Sequence, residues 1–420
     1  MIGFRTSRTA RTTSTSPTSP TSPTSPASPK SPASPSTSRR RLTAAVCTLP
    51  LLVGALVAAG SGPATASPGN GPTAFVSMGD SYISGEAGRW KGNSLTNSGS
   101  RDGTDRAWVS GSTYDPSRVY GATAASGCDR SDSAEVNGAA GSVQKVINLA
   151  CSGAVSDNVF RSANGGVSYK GEAPQADQLA AVAAANDVKA IALSIGGNDL
   201  GFADIITTCA SDYIVWYSYC YDDQQAAVDS KIDGVMTKVG KAIDEIRAVM
   251  STAGYSSSSY RIVLQSYPSP IPRAAENRYS ESGWSRVNSG GCPFWNRDSD
   301  WARDSLVPQL AGRLKAVAAA KGAQFLDLRD MLQGREVCAK SSKLVSATSP
   351  ASATTSEWAR WIDSSETQGK VQESMHPNHF GQLALQRCLA LAYAQSATAS
   401  NSCRNTAGSD ASGMYLTAAP

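Results

Sequence analysis

From residue 73 onward the chain alternates two kinds of apolar pattern. Short runs rich in β-branched residues, at 73–78, 145–149, 190–195, 261–266 and 324–328, are too brief for helices and read as buried strands. Between them, apolar positions recur at helical spacing over 175–186, 229–253 and 305–322, and a last helical stretch over 378–395 closes the order. Alternation of this kind builds parallel βαβ units. The pattern therefore predicts an α/β fold, a three-layer α/β/α sandwich around a central five-stranded parallel sheet, with ligands at the carboxyl ends of the strands.

The pattern ahead of residue 73 is different. Residues 14–38 repeat Thr-Ser-Pro and Ala-Ser-Pro units, which offer too little apolar surface to offset the entropy of ordering, so a disordered segment is expected. Arg39-Arg40-Arg41, an apolar run over 42–60 and Ala64-Thr65-Ala66 then read as the three parts of a secretion signal, cleaved after Ala66. The arginine cluster loosely resembles a twin-arginine signal, and the general secretion route stands beside it. Pro50 and Gly54 make the apolar run a poor membrane anchor, and no other stretch approaches a spanning length. The expected organisation is a leader over 1–66 and a single domain over 67–420 that ends in a short flexible C-terminal tail, the product being secreted and extracellular.

Composition changes this picture in two ways. Arg5, Arg8, Arg11, Lys30, Arg39, Arg40 and Arg41 all lie in the leader; without them, 31 of the 38 basic residues remain against 34 acidic ones, a balance of about −3 rather than +4. No long basic run and no basic stripe with interleaved aromatics is left, which excludes a nucleic-acid partner. The length suffices for a full core without a metal or a partner subunit, and a monomer is expected. Cysteine usage is the second change. Apart from Cys47 in the leader, Cys128, Cys151, Cys209, Cys220, Cys292, Cys338, Cys388 and Cys403 form an even set with no CxxC pair, which points to disulfides in an oxidising compartment and not to zinc.

Four segments carry candidate chemistry, and each follows a predicted strand. Gly79-Asp80-Ser81-Tyr82 places Ser81 where the first strand ends, so its hydroxyl can face the cleft while its own N–H faces a developing oxyanion. Cys151-Ser152-Gly153 follows the second strand, and its glycine lets a backbone N–H approach a substrate oxygen. Gly196-Gly197-Asn198-Asp199 follows the third, and the Asn198 amide can donate to the same oxygen. Met375-His376-Pro377-Asn378 follows the fifth and leads into the last helix. The chain holds two histidines, His376 and His379. His376 is the expected base, and His379 is expected to be a solvated or capping side chain. Asp80 and Asp199 read as residues that bond turn amides and hold their loops.

In this order the four segments resemble blocks I, II, III and V of the SGNH (GDSL) hydrolase family, and Met-Gly-Asp-Ser-Tyr-Ile-Ser-Gly-Glu around Ser81 is especially similar to secreted actinobacterial, Streptomyces-type lipases and esterases. The resemblance implies a flavodoxin-like SGNH hydrolase fold. It also implies Ser81 as nucleophile, His376 as general base, and Ser81, Gly153 and Asn198 as oxyanion donors. Many members carry an aspartate three residues before the histidine; here that position is Glu373. Either its carboxylate or a main-chain carbonyl near it is expected to orient the imidazole. The same relatives imply pairing of Cys128 with Cys151, Cys209 with Cys220 and Cys292 with Cys338, leaving Cys388 with Cys403 as an added bond; by number alone, eight cysteines allow 105 pairings.

The activity implied is that of a lipase or esterase, extending to phospholipase, that cleaves acyl esters through an acyl-enzyme and needs no cofactor or metal. A polysaccharide or plant-polymer acetyl esterase and a non-catalytic exported binding protein on the same scaffold are the alternatives. The aromatic-rich stretches 213–221, with Trp216, and 284–301, with Phe294 and Trp295, are expected in long loops. There they would wall an acyl pocket, touch a lipid surface or pack around disulfides.

Overall fold

The computed structural model describes residues 69–420 apart from 216 and 217. The repeat, the secretion signal with its cleavage after Ala66, Cys47 and Trp216 lie outside the described residues. Strand β1 (Thr73–Gly79) is buried at every position after its first, as expected for a strand covered on both faces of a parallel sheet. Strands β2 (Lys145–Asn148), β3 (Asp187–Ser194), β4 (Arg261–Gln265) and β5 (Gln324–Asp327) run parallel to it in the order β2-β1-β3-β4-β5. The chain steps from β1 to one side and then returns across it to β3. That reversal opens a crevice at the carboxyl ends of the central strands.

The sheet has seven strands, not five. Strand β6 (Ser400–Arg404) adds parallel to β5, and β7 (Tyr415–Ala418) pairs antiparallel with β6. These residues correct the expected C-terminal tail: they extend the sheet. Cys403 in β6 is joined to Cys388 in the last helix, and Lys315 donates to the Ala419 carbonyl at 3.1 Å, so the terminal strands are tied at several points. Neither strand carries the apolar run by which the other five are recognised, because an edge pair is specified mainly by backbone pairing.

The helices that frame the sheet and the site are α1 (Ser81–Ser84), α2 (Gln175–Ala185), α3 (Gly197–Leu200), α4 (Phe202–Ile214), α5 (Tyr221–Thr252), α6 (Val307–Ala320) and α7 (His379–Tyr393). Helix α5 packs against α2 and α6 in one layer; α7 and the turn at Glu135–Ala139 pack together in the other. Helix α5 starts eight residues before its expected beginning, and α4 ends where a loop was expected. The Cys209–Cys220 bond joins these two helices across their short connection. The remaining disulfides link Cys128 to Cys151 and Cys292 to Cys338. Residues 328–378, between β5 and α7, hold one 3-10 turn (Val371–Glu373) and otherwise turns and isolated bridges. Among the described residues no helix is long and apolar enough to cross a membrane.

Candidate active site

Ser81 owes its local conformation to rules acting over a few residues, and two distant side chains brace it. At Gly79 the backbone takes φ 130°, and a Cβ there would lie 1.9 Å from the Ser194 carbonyl of β3, so glycine alone permits the turn. The Gln175 amide clamps this residue from α2: its oxygen accepts the Gly79 N–H at 2.6 Å and its nitrogen donates to the Gly79 carbonyl at 2.7 Å. Asp80 caps α1, accepting the Tyr82 N–H at 3.2 Å, and Ser81 becomes the first residue of that single turn. The second Asp80 oxygen accepts the Tyr267 hydroxyl at 2.5 Å, and Tyr267 in turn accepts the Gly197 N–H at 3.1 Å. One buried chain of bonds thus joins the Ser81 turn to the Asn198 loop. Burial raises the Asp80 carboxyl to about 7, with the Tyr267 and Tyr82 bonds opposing it.

The other two expected donors are held at the same edge of the sheet. The Cys151 N–H bonds the Gly79 carbonyl at 3.0 Å, and the Cys128–Cys151 bond lies two residues before Gly153. Gly153 has φ 83°, and a Cβ there would come 2.5 Å from the Tyr169 hydroxyl oxygen. The Asn198 amide donates to the Ala154 carbonyl at 2.9 Å, which aligns the two loops and uses one of its two N–H groups. Asp199 accepts both the Ser156 N–H (2.8 Å) and the Ser156 hydroxyl (3.0 Å). It therefore holds the loop, as the sequence suggested.

His376 Nε2 lies 2.6 Å from Ser81 Oγ, and its Nδ1 lies 3.0 Å from the Ser374 carbonyl. A carbonyl can only accept, so Nδ1 carries the proton and Nε2 presents its lone pair to the Ser81 hydroxyl. Burial lowers the imidazole to about 4, opposed by the main-chain carbonyls of Ser374, Glu373 and Gln372. Of the two expected orienting groups, the main-chain carbonyl is the one in contact. The Glu373 carboxylate is committed elsewhere: it accepts the Tyr120 hydroxyl at 2.6 Å, the Trp90 indole N–H at 3.0 Å and the Lys370 N–H at 3.2 Å. Glu373 is thus a buried anchor of the loop. Only 2% of Glu373 is exposed.

The histidine loop rests on distant residues. Met375 and His376 pair through their backbones with Arg360, and Asn378 caps α7 while donating to the Glu357 carbonyl. Asn378, not His379, is therefore the cap; His379 is half-buried and pushed down to about 4 by burial and by Arg106 and Lys91. Trp90 sits under three guanidiniums, with Arg360 3.8 Å, Arg89 4.7 Å and Arg101 5.4 Å from its ring centre. Asp105 pairs with Arg89 at 2.7 Å and also with Arg101.

Beside Ser81 and His376 opens a cavity of about 460 Å³ whose walls are mostly apolar, among them Phe202, Ile206, Tyr267, Val287, Ile362 and Met375. Asn198 also lines it. The aromatic stretches contribute little to this wall. Phe294 and Trp301 are buried in the core, and Trp295 packs against Tyr213 with ring centres 4.8 Å apart. Their aliphatic neighbours Ile214 and Val287 face the cavity instead. Tyr267 and Gln175 escaped the sequence reading because nothing local marks them, and the role of Tyr82, whose hydroxyl donates to the Met375 carbonyl at 3.0 Å, is set by a partner 293 residues away. Glu86 escaped as well, although it stands at the end of the segment quoted around Ser81.

Residues 78–383 match the GDSL-like Lipase/Acylhydrolase family. Lipase 1 of Streptomyces coelicolor is 29% identical over 196 residues, which are 46% of this chain and 55% of that protein, so the match spans just over half of the curated relative. Among solved structures, an extracellular lipase from Streptomyces rimosus is 21% identical, with 77% of this chain and 100% of that one covered and a TM-score of 0.45. A phospholipase A1 from Streptomyces albidoflavus is 18% identical, with 77% and 99% covered and a TM-score of 0.45.

Proposed function

We propose, from the premise that the chain belongs to the GDSL-like lipase/acylhydrolase family, that it is a secreted carboxylic ester hydrolase working through Ser81 and His376. The observation that carries this reading is the 2.6 Å approach of Nε2 to the serine oxygen, 295 residues apart in sequence and beside an open cavity. Ser81 Oγ attacks the ester carbonyl carbon as Nε2 takes its proton. The resulting oxyanion is met by the N–H groups of Ser81 and Gly153 and by the second N–H of Asn198. Collapse returns the proton from Nε2 to the leaving alcohol and leaves an acyl-Ser81 ester. Water then repeats the sequence, with the histidine again as base. The Ser374 carbonyl keeps the imidazole in the right tautomer throughout.

The mostly apolar wall of the cavity favours an acyl chain longer than acetyl, as in glycerides, phospholipids or short model esters. Ile214 (41% exposed) and Val371 (38%) are exposed where they line it, which suits transient contact with a lipid surface. Four disulfides and the leader support an extracellular location. Fluorophosphonate labelling tests the mechanism: wild type should label and Ser81→Ala should not, and equal labelling would overturn it in favour of a binding protein. A p-nitrophenyl ester series, with phospholipid and triglyceride panels, tests the substrate class. A sharp preference for acetate would favour a polysaccharide acetyl esterase.

A further inference from the structure

The imidazole of His376 has two polar neighbours at Nε2, and the mechanism above uses one. The other is Glu86. Its Oε2 lies 3.7 Å from Nε2, the side chain is buried, and the same oxygen accepts the Ser152 hydroxyl at 2.6 Å. Oε1 is buried with no hydrogen-bond partner among the described residues. A buried carboxyl with one idle oxygen costs stability, and its bond to Ser152 uses only the other oxygen. The Nδ1 side of the ring, where an aspartate would offset the charge of an imidazolium, offers only the neutral Ser374 carbonyl.

We propose that Glu86 is a positioning residue for His376: its carboxylate, anchored by Ser152 next to the Gly153 loop, stabilises the imidazolium formed when Ser81 loses its proton. The proposal rests on the Ser81–His376 reading. At 3.7 Å, with the carboxylate buried, an ion pair of this kind exists only while the histidine is protonated, so it favours the transition state over the resting enzyme. The proton moves from Oγ to Nε2 and back, and Glu86 takes no part in that transfer; when Glu86 ionises, its own proton goes to solvent.

Burial raises the Glu86 carboxyl to about 8; Ser152 and Lys170 oppose the rise, and Asp129 and Glu373 add to it. Tyr82, Tyr120 and Tyr169, which feel its charge, complete the titratable groups around it together with His376. Turnover should therefore climb with pH as the carboxylate forms.

The test compares wild type, Ser81→Ala, Glu86→Gln and Ser152→Ala in p-nitrophenyl butyrate hydrolysis from pH 5 to 10, with fluorophosphonate labelling alongside. Wild type should gain about tenfold in kcat through the ionisation near pH 8. Glu86→Gln, which keeps the acceptor for Ser152, should match wild type near pH 6 within about threefold, lack the climb, and fall about tenfold behind at pH 9.5 with KM unchanged. Ser152→Ala removes a bond that favours the carboxylate, so its climb should move to higher pH. A climb that persists in Glu86→Gln, or a loss equal at every pH, overturns the proposal. If Glu86→Gln fails to fold, an unshifted climb in Ser152→Ala overturns it. Failure of the underlying reading looks different: wild type would then neither label nor hydrolyse above Ser81→Ala.

Discussion

The two halves of the active site are built on opposite plans. The nucleophile half is shaped by a strand end, a glycine, a capping aspartate and one helical turn, all within Gly79–Gly85, with Gln175 and Tyr267 bracing a geometry that the local sequence already sets. The histidine half is an irregular segment carried by residues far away: Glu373 binds Trp90 and Tyr120, Arg360 lies over Trp90 and pairs with the loop backbone, and Met375 takes φ 63° to aim the next residue. A local plan resists change elsewhere in the molecule. A long-range plan makes the base depend on a buried polar network, so damage there should appear as lost stability and lost turnover together.

The largest expected effect breaks the site without touching either plan. His376→Ala should lower ester turnover by about 10⁴-fold or more with little change in fold, read from p-nitrophenyl butyrate hydrolysis and circular dichroism. Next, Asn198→Ala should cost about 100- to 1000-fold in kcat with KM nearly constant, as expected for an oxyanion donor on the rigid side. Its melting temperature should fall by only a few degrees, since one bond to Ala154 is lost.

Glu373 sharpens the comparison. Glu373→Ala should destabilise the protein by about 3 kcal/mol by stranding the Tyr120 hydroxyl and the Trp90 N–H, whereas Glu373→Gln should keep turnover within about tenfold of wild type. A loss of about 10⁴-fold in Glu373→Gln would restore it as the orienting carboxylate. The disulfides should divide the same way. Replacing Cys292 and Cys338 by serine removes a link spanning 46 residues and should cost about 3–4 kcal/mol; removing Cys209–Cys220, which spans 11, should cost less.

The smallest effects are in pH. Because His376 and His379 are lowered to about 4, their neutral forms stabilise the fold above the ordinary histidine value, and that contribution is lost as pH falls through about 4, along with base function. Asp80 (about 7), Glu86 (about 8), Glu135 (about 8) and Glu336 (about 7) are raised by burial. Their contribution is full below the ordinary carboxylate range and is lost as pH climbs through 7 to 8. Four raised carboxyls outweigh two lowered histidines, so melting temperature should be highest below about pH 5 and decline as pH climbs to 8; a maximum above pH 8 would contradict these burial effects.

Residue pattern alone specified the five central strands, the helices between them and the position of Ser81, because each depends on periodicity or on turn chemistry within about ten residues. It also narrowed the base to two histidines. Tertiary structure alone decided the rest. That Trp90 and Tyr120 claim the Glu373 carboxylate and leave Nδ1 to the neighbouring Ser374 carbonyl, that Tyr267 links Asp80 to Gly197, that Glu86 faces Nε2 and that residues 400–418 complete the sheet all depend on groups brought together across 70 to 300 positions. Buried polar bonds of that kind are satisfied by whichever partner the packing delivers, and local sequence carries no trace of the choice.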